Sequence, residues 1–185
     1  EQTSMYSQYE NFGNEDGTGR QYYHAPNLAN VTSKIINTSS CPSDFSIPFM
    51  RGGLPASSIQ LSVHNLVANI GPTGLLGGNS VALTHAGVTR NGAPFDNGVA
   101  VPLKDITDGL SNTLMLSEVV RGESESHTKF DVRGLTWWGD GAVFSGFLPP
   151  NPSDPDVAVL AGYCIYPHTT NPPCVGISSS NPVEM

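Results

Sequence analysis

The chain has 185 residues, 8 basic and 16 acidic side chains, and a net charge of −8. That balance argues against a nucleic-acid backbone as partner and against charge-driven binding to an anionic membrane surface. Charged residues make up only 13% of the chain, about half the usual share, whereas its 20 glycines and 15 prolines mark it as turn-rich. The 38% apolar share is enough to fill one core. No run approaches the roughly 18 apolar residues of a membrane-spanning helix. The first residue is Glu1, so the sequence is expected to be processed or to be part of a longer protein.

In chain order, Met5, Tyr9 and Phe12, with Tyr6 beside them, have helical spacing, and Gly13 reads as the helix end. Residues 13–20 read as a polar loop. Pro26 suits the first position of a second short helix carrying Leu28 and Val31. Lys34-Ile35-Ile36 reads as a strand running into a turn at Cys41-Pro42-Ser43-Asp44. Ile59, Leu61 and Val63 then alternate with Gln60, Ser62 and His64, which predicts a half-buried strand. Residues 71–98 form a long glycine-rich excursion with short strands expected around Val81 and Val88.

Asp108-Gly109 marks a turn, and Leu114 to Val120 predicts a buried strand closed by Gly122. Thr136-Trp137-Trp138, a Gly-Asp-Gly turn at 139–141 and Ala142-Val143-Phe144 predict a hairpin. Residues 148–185 hold eight of the fifteen prolines and are expected to be mostly loop. Cys164 and Cys174 bracket a loop with three prolines, and a disulfide between them is the natural way to fix it. Such a bond implies an oxidising compartment and leaves Cys41 over, buried or paired outside the chain.

Sequence motifs for phosphate loops, dinucleotide turns, zinc proteases and serine hydrolases are absent. The five histidines, His24, His64, His85, His127 and His168, have no ligand at metal spacing. No catalytic residue is assigned, and the expectation is that the chain is not an enzyme. Asp105, Asp108 and Asn112 crowd oxygens into one bend. They read either as calcium ligands or as residues bonding neighbouring backbone in a turn; the absence of EF-hand spacing favours the turn. No other cofactor is expected. On a strand, Trp137 and Trp138 point to opposite sides, so one is expected in the core and the other free to stack on a sugar or a protein. Asn30 and Asn37 begin glycosylation sequons, whose use the sequence leaves open.

Several segments taken in order resemble a known family. They are Cys41-Pro42-Ser43-Asp44, then Asp105-Ile106-Thr107-Asp108-Gly109-Leu110-Ser111-Asn112-Thr113 with Leu114 to Glu118, then Arg133-Gly134 before Trp137-Trp138, Asn151 to Asp156, and the loop closed by Pro172-Pro173-Cys174. Together they are similar to the large pilin-like family of planctomycete bacteria, a domain of unknown function sometimes called a solute-binding type. The opening Glu1-Gln2 resembles the end of that family's Pro-Tyr-Leu-Glu-Gln segment. The resemblance implies a central piece of a longer protein. A basic leader and long hydrophobic helix would lie upstream, and a His followed by an Asp-Gly pair downstream. It also implies likeness to the pseudopilins of type II secretion and to type IV pili, where a hydrophobic helix builds a filament and a β-rich head faces outward.

The expected fold is therefore α+β, mainly antiparallel β, with residues 1–185 as one extracytoplasmic head domain. The expected function is structural, at the cell surface, with other pilin-like subunits as partners and with membrane contact only through a helix outside this chain. The alternative is a carbohydrate- or solute-binding module that uses residues 71–98 and an exposed tryptophan.

Overall fold

The computed structural model describes residues 3–11, 20–50, 60–71, 84–85, 88–89, 93–95, 101–126, 128–146, 148–158, 163–165 and 171–176. The chain is α+β and mainly antiparallel. Helical structure is confined to α1 (Thr3–Gln8), a π turn at Leu28–Thr32, and 3₁₀ turns at Asn37–Ser39, Leu103–Asp105, Leu110–Asn112 and Gly139–Gly141 among the described residues. Strands are short: β1 (Phe49–Met50), β2 (Leu61–Ser62), β3 (Leu66–Asn69), β4 (Thr84–His85), β5 (Val88–Thr89), β6 (Leu116–Glu118), β7 (Ser124–Ser126), β8 (Lys129–Phe130), β9 (Val143–Phe144), β10 (Asp156–Ala158) and β11 (Cys174–Gly176). They pair as β1–β2, β4–β5, β7–β8, β10–β11 and a three-stranded sheet in the order β6-β3-β9. The β3–β9 and β10–β11 pairs are parallel and the others antiparallel.

The core sits between β1, β2 and the β8–Leu135 segment. Met50, Leu61, Val63, Phe130, Val132 and Leu135 are fully or nearly fully buried, with Tyr22, Tyr23, Leu28, Trp138 and Tyr163 packed around them. Each buried side chain of this size contributes about 1.5–3 kcal/mol relative to exposure. Val31 is also buried, so the inward face expected after Pro26 is present, carried on a π turn.

Five local expectations are corrected. The segment Lys34–Ile36 is not a strand: the Ile36 N–H donates to His64 Nε2, and a 3₁₀ turn follows at once. Among the described residues of the strand expected from about residue 57, β2 covers Leu61–Ser62 and is not half-buried; Ser62, His64 and Asn65 are buried along with Leu61 and Val63. The predicted hairpin at 136–144 does not form. Successive N–H groups of Leu135, Trp138 and Gly141 bond the carbonyls three residues back, which winds the segment into consecutive turns before β9 joins β3 in parallel. Within Leu114–Val120, β6 is real but forms a sheet edge, with Leu114 59% and Leu116 46% exposed. At the start, α1 is shorter than predicted and buries no residue. Phe12, Gly13, Ile59 and Val81 lie outside the described residues, and β5 begins at Val88.

Candidate functional site

The densest polar cluster is internal, and it begins at the Cys-Pro-Ser-Asp turn. The Asp44 carboxylate accepts from the Ser46 N–H (2.9 Å) and hydroxyl, Asn65 Nδ2 (2.6 Å), and the Arg121 N–H and Nε (3.2 Å each). Arg121 Nη2 also donates to the Asp44 carbonyl. Burial works upward on the Asp44 carboxyl, but the bonds from Ser46, Asn65 and Arg121 outweigh it and hold the group well below the usual carboxylate range. Asn65 extends the cluster: its Oδ1 accepts from the Cys41 N–H (2.8 Å), and its Nδ2 also reaches the Val119 carbonyl (3.0 Å). One turn and two strands that are distant in sequence are thereby fixed to one another.

A second cluster surrounds Arg133. Its Nε and Nη2 fork onto Asp131, Nη1 donates to Asp156 Oδ2 (2.6 Å), and Nη2 also donates to the Pro172 carbonyl (2.8 Å). Burial works downward on this guanidinium, and the two carboxylates outweigh it and raise its pKa. With its donors taken up in this way, Arg133 has little capacity to bind a ligand anion. The brace ties the β8 end, β10 and the approach to β11 together. Cys164 and Cys174 are disulfide-bonded across the same region, with a Cα–Cα distance of 6.0 Å, as expected from the sequence. Cys41 is free and half-buried.

His64 is the buried group that, among the described residues, has the look of a reaction centre. Its ring lies 2.8 Å from Thr136 Oγ1, and it is fully buried. The proton assignment excludes nucleophile activation. Nε2 accepts the Ile36 N–H (2.8 Å), so the proton is on Nδ1 and points at the Thr136 oxygen. The Thr136 hydroxyl in turn donates to the Gly134 carbonyl (3.2 Å). A general base must accept from its nucleophile, and this imidazole donates to it. Burial, with the Arg121 charge as a second cause, pushes the His64 pKa down to about 4.

Of the sequence-predicted metal residues Asp105, Asp108 and Asn112, the last two meet in a turn, and Asp105 ends the separate 3₁₀ turn before it. Asn112 Nδ2 donates to the Asp108 carbonyl (2.9 Å), and Thr113 Oγ1 donates to the Gly109 carbonyl (3.1 Å). Gly109 has φ +85°, the positive φ expected of it. Asp105 and Asp108 are exposed. Among the described residues, no group of three or more His, Cys, Asp or Glu side chains is placed to hold a metal ion. Trp137 and Trp138 are both half-buried. Trp138 meets Tyr163 edge-on at 4.7 Å and Tyr22 at 6.1 Å. Trp137 donates from Nε1 to Ser62 Oγ (2.8 Å) and stacks on Tyr9 at 6.5 Å. They do face different surroundings, but from a turn rather than a strand.

A family model described as a protein of unknown function (DUF1559), SBP_bac_10, matches residues 1–160. The chain belongs to the DUF1559 family. No match is found among curated proteins or among solved structures. In this DUF1559 chain several residues of the motifs that stand out in sequence hold the fold together: Asp44, Arg133 and Asp156 are parts of the two braces, and Cys174 is half of the disulfide.

Sequence reasoning missed His64, Asn65, Arg121 and Asp131 as interior residues. A signal was present. In a chain with only 24 charged residues, Arg121 directly follows Val119-Val120, and Asp131 and Arg133 flank Val132. A charge inside an apolar run, where charges are scarce, points to a paired interior group.

Proposed function

We propose that the chain is the head of a pilin- or pseudopilin-like structural subunit. It works outside the cytoplasm by packing against copies of itself or related subunits, and it carries out no reaction of its own. One observation carries this reading: the motif residues are engaged in holding the fold, down to the Asp108–Thr113 turn, where the Asn112 and Thr113 side chains bond its own carbonyls. A head of this kind needs a fixed shape and an outward surface rather than converging reactive groups. The Cys164–Cys174 disulfide fits an oxidising compartment. Exposed Leu103, Leu110, Leu114 and Leu116 provide apolar surface beyond what the core uses.

The test compares the 185-residue chain with the natural full-length protein. The chain alone is expected to sediment as a monomer at micromolar concentration, and the longer protein to enter filaments or the membrane fraction. A dispersed, monomeric full-length protein would refute the assignment. A melting temperature raised by one member of a glycan or small-solute panel would move the reading to a binding module.

A further inference from the structure

The three-stranded sheet β6-β3-β9 ends on one side at β6. The register of β6 on β3 fixes where its main chain points. The Asn69 N–H donates to the Met115 carbonyl (3.0 Å) and the Val119 N–H to the Asn65 carbonyl (2.8 Å), with Ser117 opposite Val67 between them. Residues bonded to a given neighbour alternate along an antiparallel strand. Met115, Ser117 and Val119 therefore turn their N–H and C=O toward β3, and Leu116 and Glu118 turn theirs away from it. No described residue pairs with those outward groups. The side chains add a second pattern. Leu114, Leu116 and Glu118 lie on the exposed face of β6, while Met115, Ser117 and Val119 are half-buried. Glu118 makes no ion pair among the described residues. Asp105 and Asp108 are exposed in the turns that lead to the strand, so the edge is acidic as well as apolar.

Unpaired donors and acceptors recurring every second residue match one kind of occupant, the backbone of an extended segment. Antiparallel addition lets Leu116 and Glu118 each exchange both bonds with a single facing residue. The charge on the edge narrows the choice. The β6 of a second copy would bring its own Glu118 and a further net charge of −8, so like charges oppose self-pairing. A cation beside Glu118 and apolar side chains beside the two leucines suit the edge instead. We propose that β6 binds an extended segment of another protein, added antiparallel to the sheet, with a Lys or Arg opposite Glu118 and apolar residues opposite Leu116 and Leu114. This pairing is independent of the filament reading above. Main-chain bonds supply its affinity and the alternate side chains its specificity. Because β6 is three residues long, the added ladder is short and the contact is transient.

The experiment titrates the ¹⁵N-labelled chain with the peptide Thr-Lys-Thr-Val-Thr-Val-Thr, blocked at both ends, up to about 5 mM. In antiparallel register its lysine faces Glu118 and its valines face Leu116 and Leu114. The amide signals of Leu116 and Glu118 should shift with a dissociation constant of about 1 mM. At the end of the titration these two N–H groups should exchange with solvent about fivefold more slowly than in the free chain. The Val119 N–H, already bonded to Asn65, should not share that change. N-methylating the valine that faces Leu116 should abolish the slowing. Replacing the peptide lysine by glutamate should weaken binding about fivefold, and Glu118→Lys should reverse the preference. Leu116→Pro removes an outward donor and no bond to β3, so circular dichroism should be retained while the Glu118 amide loses its protection. Protection that appears without peptide and grows with protein concentration would put a second copy on the edge and overturn the proposal. Equal binding of the lysine and glutamate peptides, slowing that survives N-methylation, or no slowing with any peptide would overturn it too.

Discussion

Acidification tests the interior most directly, through His64. Its Nε2 accepts the Ile36 N–H, so protonating that nitrogen would set two donors face to face inside a fully buried site. The charged groups nearby are Arg121, which also disfavours the imidazolium, and its partner Asp44. The folded pKa is about 4 against 6.5 for a free histidine. Because the folded value is depressed, the unfolded chain binds the extra proton first. Stability is therefore whole above pH 6.5, falls between pH 6.5 and 4, and loses no more from this group below that. A difference of about 2.5 pH units corresponds to roughly 3 kcal/mol, of which about 2.5 kcal/mol is lost by pH 4.5. Asp44 has a depressed folded value too, so its contribution is lost only below the ordinary carboxylate range, on the acid side of this window. Urea unfolding at pH 7.0 and 4.5 measures the loss, and His64→Gln isolates it. The glutamine oxygen can still accept from Ile36 but does not titrate, so the variant starts less stable and its pH slope is shallower by about 2.5 kcal/mol across the window. Equal slopes for the two proteins would refute the neutral, buried assignment.

The other predictions concern the braces and turns. Arg133→Met leaves Asp131 and Asp156 without their shared cation and should cost about 3–5 kcal/mol in urea unfolding, whereas Arg133→Lys recovers only part because an ammonium cannot fork. Gly109→Ala and Gly134→Ala meet similar backbone strain, at φ +85° and +79°, but different space. A Cβ at Gly109 comes no closer than 3.9 Å to Asn112, while one at Gly134 lies 2.4 Å from the His64 carbonyl oxygen. The first should lower stability by about 1–2 kcal/mol and the second by clearly more, read as melting temperatures. Reducing Cys164–Cys174 should cost about 2–3 kcal/mol by loop-closure entropy, read as a lower urea midpoint in reductant. Calcium and chelator should leave the melting temperature unchanged; a rise with calcium that Asp108→Ala abolishes would establish the metal reading of Asp105, Asp108 and Asn112.

What could be read in the sequence was local. The disulfide joins residues ten apart, the Gly109 turn is made by its own neighbours, and the inward positions Leu28, Val31, Leu61 and Val63 follow from spacing. What could not be read depends on partners far along the chain. Arg121 meets Asp44 across 77 residues, and His64 meets Thr136 across 72. Ser62 and His64 therefore read as the solvent face of a strand, since nothing nearby announces what they bond. The failed hairpin is a different case. Gly139-Asp140-Gly141 is a fair turn signal, but the bonds of Leu135, Trp138 and Gly141 to carbonyls three residues back made the flanking segment helical turns. Leu114 and Leu116 are exposed where burial is expected, because an apolar run predicts burial only when something covers it.

These two kinds of residue have a common physical origin. The central apolar cluster has six buried members, and strands of two to four residues give each sheet few ladder bonds to fix its register. A small core with short strands leaves many alternative registers close in energy. Buried ion pairs are weak evidence of net stability, because desolvation offsets their attraction; their better-attested use is to select one arrangement. Asp44 and Arg133 are placed for that use, each joining segments that backbone pairing alone leaves loose. With Asp44 tied to Ser46, Asn65 and Arg121, the surface carries Phe45 and Ile47 outward. The motif that fixes the interior of this chain is thus also the one that determines what its exterior presents.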